Sequence, residues 1–150
     1  MKRFFFPLER VLAFRRTELD SAQRALDLTA ARRAELLREL ADNGRKRDAS
    51  YAANGSVVEL RAREDFDRFL AKVRLRLREQ VTAVEKELDR RRTQLIEAKR
   101  KCELLEKLRS RRWSEWTAEM ERELEELAAD AFRARLAAGN RSQSGRRMVG

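Results

Sequence analysis

From Leu8 onward, apolar and small side chains return at a helical rhythm. Leu8, Leu12, Arg15, Leu19, Ala22, Leu26, Thr29, Arg33, Leu36 and Leu40 follow one another in alternating steps of four and three. That is the heptad rule with a few polar interruptions, the pattern of a helix that buries one narrow seam against a partner helix. Val11, Ala25 and Leu37 widen the stripe. Pro7 suits a first helical turn, where its missing N–H costs nothing. The pattern predicts a helix from about residue 7 to 53, roughly 70 Å long at 1.5 Å per residue.

Two Asn-Gly pairs interrupt the rhythm, Asn43-Gly44 and Asn54-Gly55. Asn-Gly favours turns because both residues tolerate positive φ. The second pair is the better corner, because Ser56-Val57-Val58-Glu59 follows it. In that capping box the Ser and Glu side chains can satisfy the orphan amides of a new helix. The first pair then reads as a weak or frayed spot inside the first helix. The turn is placed at 54–56 and a second helix at about 56–138.

The second seam runs Phe66, Leu70, Val73, Leu77, Val81, Val84, Leu88, Arg91, Leu95, Ala98, Cys102 and Leu105. It continues less regularly through Leu108, Trp116, Met120, Leu124, Leu127 and Ala131. Consecutive steps of four around Leu77 resemble a stutter. Gly139 and Asn140 offer a stop, and 139–150 reads as a disordered basic tail. The expected fold is all-α, a long antiparallel two-helix coiled-coil hairpin over residues 1–138 whose second helix is longer than the first. Folding at Asn54-Gly55 sets Leu40 near Leu70, Leu26 near Val84 and Leu12 near Ala98. The first helix is then used up near residues 101–105. About thirty further residues, roughly 45 Å of helix, lack an internal partner yet carry Trp113, Trp116, Met120, Leu124, Leu127 and Phe132. An apolar stripe of that kind asks for another chain to cover it.

Composition agrees with thin seams. The 150 residues include 41% charged side chains, five Gly and one Pro, and Ala, Glu, Leu and Arg dominate, as in long helices and coiled coils. The formal charge of +10, from 36 basic and 26 acidic residues, raises nucleic acid or an anionic membrane as partners. Interspersed opposite charges, such as Glu85 and Asp89 beside Lys86 and Arg90, fit solvated helix faces instead. The absence of histidine removes the usual general base and the commonest metal ligand. No glycine-rich phosphate loop or Cys-x-x-Cys occurs. Cys102, the one cysteine, sits on the seam, where a thiol fills space. The expectation is a protein that is not an enzyme, with no catalytic residue, metal or cofactor. No apolar run is long enough for a transmembrane helix, and Glu9 and Arg10 interrupt the N-terminal run before a signal sequence could form.

Charge is also arranged in blocks. Residues 86–112 hold eleven basic and five acidic side chains, whereas residues 113–130 hold one basic and seven acidic. A bipolar surface of this kind can orient docking to a charged partner. Phe4, Phe5 and Phe6 are expected near Trp113 and Trp116, where aromatic side chains make good interface anchors.

The opening Phe4 to Arg15 (FFFPLERVLAFR), the stretch Leu105 to Trp116 (LEKLRSRRWSEW) and Glu121 to Ala128 (ERELEELA) together resemble the flagellar export protein FliJ family over roughly residues 4–132. Arg122-Glu123-Leu124-Glu125-Glu126-Leu127 departs from that family's Gln-Lys followed by Asp-Glu, and leaves open the analogous stalk of virulence-type secretion systems. The resemblance implies a non-enzymatic stalk and chaperone in type III protein export for flagellum biogenesis, and thereby for chemotaxis. It would be cytoplasmic, peripheral at the inner membrane. The implied partners are the export ATPase hexamer, a membrane export gate protein and export chaperones. Phe4, Phe6, Arg109, Arg112, Trp113 and Trp116 would meet the ATPase, and Tyr51, Phe66, Phe69 and Leu70 the gate. A basic coiled coil that binds nucleic acid is the alternative from a different class, although no nucleic acid is expected.

Overall fold

The structure, a computed structural model, describes residues 3–52 and 54–147, with side chains beyond Ser142 left aside. The fold is all-α. Helix α1 spans Glu9–Ala52, 44 residues, and helix α2 spans Val57–Arg147, 91 residues. Among the described residues there is no strand. Glu9 and Glu59 stand in the first turns, where a carboxylate complements the positive end of the helix dipole. Pro7 and Leu8 form a turn in which the amide of Glu9 donates to the carbonyl of Phe6 at 3.2 Å.

The chain divides into two units. One joins the residues up to Leu12 with those from Glu103 onward, and the other is Ala13–Cys102. Within the second unit α1 and α2 run antiparallel, joined through residues 53–56. Its seam is thin. Leu36, Leu70, Leu77, Leu88 and Cys102 are buried, with Leu19, Ala22, Leu26, Thr29, Leu40, Val73, Val81, Val84, Leu95 and Ala98 half-buried beside them. Most inward positions are heptad positions, and most of the residues between them face water.

The polar interruptions of the seam are paired. Arg15 bonds Glu18 at 2.7 Å. Arg33 donates through Nε and Nη2 to Glu85 Oε1 at 3.2 and 3.1 Å. Arg91 Nε lies 2.9 Å from Glu87 Oε1, but this buried N–H is not in hydrogen-bonding geometry. Arg90 contacts the same carboxylate. Arg15 and Arg33 keep their stems against the seam and their charged heads near water. Where the seam turns small, at Ala22, Ala25 and Ala98, a shallow groove opens between the helices beside Phe14 and Arg91.

The pairing register differs from the expected one. Leu70 receives Asn43 instead of Leu40, Ser50 Oγ donates to Asp67 Oδ1 at 3.3 Å, and Arg33 meets Glu85. The partner on α2 lies about one to two turns farther along than a tight corner at Asn54-Gly55 would place it. The cause is visible at the connection. Because Ser50 already faces Asp67, residues 57–64 of α2 have no α1 residue beside them, and all but half-buried Arg63 are exposed.

Asn43-Gly44 does not break α1. Asn43 is 4% exposed, and its Nδ2 donates to the Leu70 carbonyl at 3.0 Å while its Oδ1 accepts from Arg74 Nε at 3.2 Å. A residue that sequence alone marks as a weak spot is thus a buried seam position with both ends of its amide satisfied. Nor does Gly139-Asn140 stop the second helix. It continues to Arg147, since neither residue is forced out of helical φ/ψ and Ser142 Oγ returns to the Gly139 carbonyl at 2.8 Å. Residues 139–147, expected in the tail, are thus helical here, and residues 148–150 lie outside the described ones.

Candidate protein-docking sites

The first unit contains the N-terminal aromatic segment and the two tryptophans. Residues 3–6 are not helical, which lets Phe4 lie across α2. Its ring meets Trp113 edge-on, with centroids 4.9 Å apart and planes at 83°, and meets Trp116 at 5.9 Å. The two indoles are 5.1 Å apart. Edge-to-face contacts at these separations are the favoured aromatic arrangement, because the positive ring edge meets the negative face. Arg109 stands over the Phe4 ring, 5.9 Å from its centroid, and its Nε donates to Glu9 Oε2 at 2.9 Å. One guanidinium therefore ties the start of α1 to α2 and also contacts the aromatic cluster.

The members differ in what they can offer a partner. Trp113 is 49% exposed and Phe5 79%. Phe4, Arg109 and Trp116 are half-buried. Arg112 is exposed and 3.8 Å from Glu115, which Arg111 also holds at 3.1 Å. The Trp116 indole N–H is buried with no acceptor among the described residues. Phe6 is 4% exposed, so it offers little surface of its own. Glu9 and Phe5 belong to this surface too. A sequence reading could find Glu9 only from the correct register, which sets it opposite Arg109.

The second region lies at the connection, in the other unit. Tyr51, Phe66 and Phe69 are exposed, and Arg47 stands 5.8 Å from the Tyr51 ring centroid. Leu70, grouped with them from sequence, is 3% exposed and lies in the seam under Asn43, so it is not a surface residue. Phe66, expected to open the second seam, is outward because Arg63 and Asp67 take the half-buried positions there. Val57, Val58 and Leu60 add exposed apolar surface on the unpaired first turns of α2. The signal for these three was present in the sequence, as an apolar triplet that the heptad rhythm did not need.

The corner that presents them is fixed locally. The Ser56 amide donates to Glu59 Oε2 at 2.7 Å, and the Leu60 amide donates to the Ser56 carbonyl at 3.0 Å. That is the Glu half of a capping box. The returning Glu59 side chain covers Gly55 so closely that a Cβ there would overlap its carboxylate and lie 2.9 Å from its Cβ.

Among the described residues no helix is long and apolar enough to cross a membrane. No curated protein and no solved structure matches the chain. The family model described as "Flagellar FliJ protein" matches residues 4–142. That covers nearly the whole sequence, both units and both exposed aromatic regions included, and the chain belongs to that flagellar export family.

Proposed function

We propose that this protein is a non-enzymatic coiled-coil stalk and chaperone of the flagellar type III export apparatus, working in the cytoplasm at the inner face of the membrane. One docking surface engages the cytosolic export ATPase hexamer. The other engages the membrane export gate protein, and export chaperones bind along the stalk. Family membership supports the export role.

The observation that carries the ATPase assignment is the Phe4–Trp113–Trp116 cluster with Arg109 over it. Aromatic and arginine side chains are the residue types that anchor protein interfaces. Here they are held together by contacts within the unit, so little ordering is needed on binding. Exposed Arg112 beside them suits an acidic lining. For the gate, Tyr51, Phe66 and Phe69 supply exposed aromatic surface, and Leu70 contributes only by holding α2 in register.

The test is capture of the export ATPase of the same organism by the purified chain, with and without Trp113→Ala/Trp116→Ala. Binding that promotes hexamer assembly and is lost in the double variant supports the reading. No binding to the ATPase at low salt, together with binding to DNA that falls steeply with salt, overturns it in favour of a nucleic-acid role. Binding instead to the ATPase of a virulence-type system reassigns the stalk to that machinery.

A further inference from the structure

Every described residue of α2 from 121 to 142 is exposed, Leu124, Leu127, Phe132 and Leu136 among them. Through this arm the heptad stripe runs Met120, Leu124, Leu127, Ala131, Ala134 and Ala138. Its first half is large and its second half is alanine. Laid antiparallel on a copy of itself, with a twofold axis beside Ala129, the stripe sets Met120 on Ala138, Leu124 on Ala134 and Leu127 on Ala131. Each layer then pairs one large side chain with one small, which keeps the helix separation even and leaves no void. A parallel pairing would set leucine on leucine at one end and alanine on alanine at the other.

Charge selects the same orientation. Glu119, Glu121, Glu123, Glu125 and Glu126 crowd the first half against Arg122 alone, whereas Arg133, Arg135 and Arg141 populate the second with no acidic residue after Asp130. Antiparallel pairing brings the acidic half of each copy to the basic half of the other, with Glu121 across from Arg135. Parallel pairing aligns like with like. Asp130 alone approaches its own copy near the axis, and Arg133 on the same chain already pairs with it at 3.0 Å.

We propose that this arm associates antiparallel with the same segment of a second copy of the chain, burying the stripe that runs from Met120 to Ala138. The inference goes beyond the stalk reading and uses none of its docking residues.

The full chain tests it by sedimentation, from dilute to concentrated solution. A shift from one-chain to two-chain mass is expected, and Leu124→Glu/Leu127→Glu should weaken it at least about tenfold while leaving helicity by circular dichroism intact. For orientation, Cys102→Ala serves as the background. A mixture of Leu124→Cys and Ala134→Cys chains should then form a mixed disulfide under mild oxidation, and Leu124→Cys alone should cross-link poorly. One-chain mass at every concentration overturns the proposal and leaves the arm to a different partner. A two-chain mass indifferent to the double glutamate variant, or Leu124→Cys that links to itself faster than to Ala134→Cys, overturns it equally. Neither readout involves the export ATPase, so its failure and that of the stalk reading are separable.

Discussion

The side-chain amide of Asn43 donates a 3.0 Å hydrogen bond to the main-chain carbonyl of Leu70 on the facing helix. Around it the seam offers leucines and valines, which can slide past one another by a heptad with little change in burial. An amide that must find both an acceptor and a donor cannot slide in that way. Arg74 completes the pair at 3.2 Å, so only one pairing satisfies the buried Asn.

Replacing Asn43 therefore separates stability from uniqueness. Asn43→Leu should keep or raise the denaturant midpoint, because an apolar group of similar volume needs no partner. It should also broaden the distance distribution between spin labels placed at exposed positions on the two helices near residues 32 and 86. Asn43→Ala should cost about 1–2 kcal/mol, from the lost bonds and an underfilled seam. A narrow, unchanged distance distribution in Asn43→Leu would show that the register is set elsewhere.

Asn43 also shows what the sequence could and could not reveal. The buried positions Leu12, Leu36, Leu70, Leu77, Leu88 and Cys102 all lie on the heptad rows, because a period of seven is written directly into the order of apolar residues. The register is not written there, since a slip of one heptad maps every row onto itself. What breaks that degeneracy is polar and sparse: Asn43 with Leu70, Ser50 with Asp67, Arg33 with Glu85. The same ambiguity hid the unpaired turns at the start of α2, whereas the inward position of Leu70 was legible, since it stands on the second seam. The aromatic cluster was easier, because residues near the start of the first helix must come near the middle of a longer second one.

Gly55 and Glu59 form a coupled corner. Gly55→Ala should push the Glu59 carboxylate away from the Ser56 amide and lower stability by about 1 kcal/mol, the usual worth of a cap. Glu59→Gln should retain most of it, since Gln also closes a capping box, and Glu59→Ala should not. Thermal melts of the three variants check this. Equal losses in Glu59→Gln and Glu59→Ala would mean that charge at the helix start, not the hydrogen bond, is what matters.

The aromatic cluster has a built-in reporter, because the chain's two tryptophans both belong to it. Phe4→Ala should red-shift and change the intensity of tryptophan emission as water reaches the indoles. A double-mutant cycle of Phe4→Ala with Trp113→Ala, followed by denaturation monitored through circular dichroism, should return a coupling of about 0.5–1.5 kcal/mol. Arg109→Gln, which removes the charge over Phe4 and the bond to Glu9, should lower stability by less than about 1 kcal/mol, because that pair is exposed to solvent. A cycle energy near zero would mean that Phe4 rests on the tryptophans without being held by them.

The last prediction separates the surface near the connection from the seam beneath it. Phe69 is 59% exposed and Leu70 is 3% exposed, although they are neighbours in sequence. Phe66→Ala and Phe69→Ala remove outward rings and should change folding stability by no more than about 0.5 kcal/mol. Leu70→Ala leaves a hole under Asn43 and should cost about 2–5 kcal/mol. In a binding assay against the export gate protein, the two phenylalanine variants should therefore lose affinity while remaining fully helical. Leu70→Ala should lose binding only in proportion to the fraction unfolded, and should recover when the temperature is lowered enough to refold it. If the phenylalanine variants bind like the unmodified chain, this surface is not the gate contact. The exposed Val57, Val58 and Leu60 on the unpaired turns of α2 become the next residues to replace.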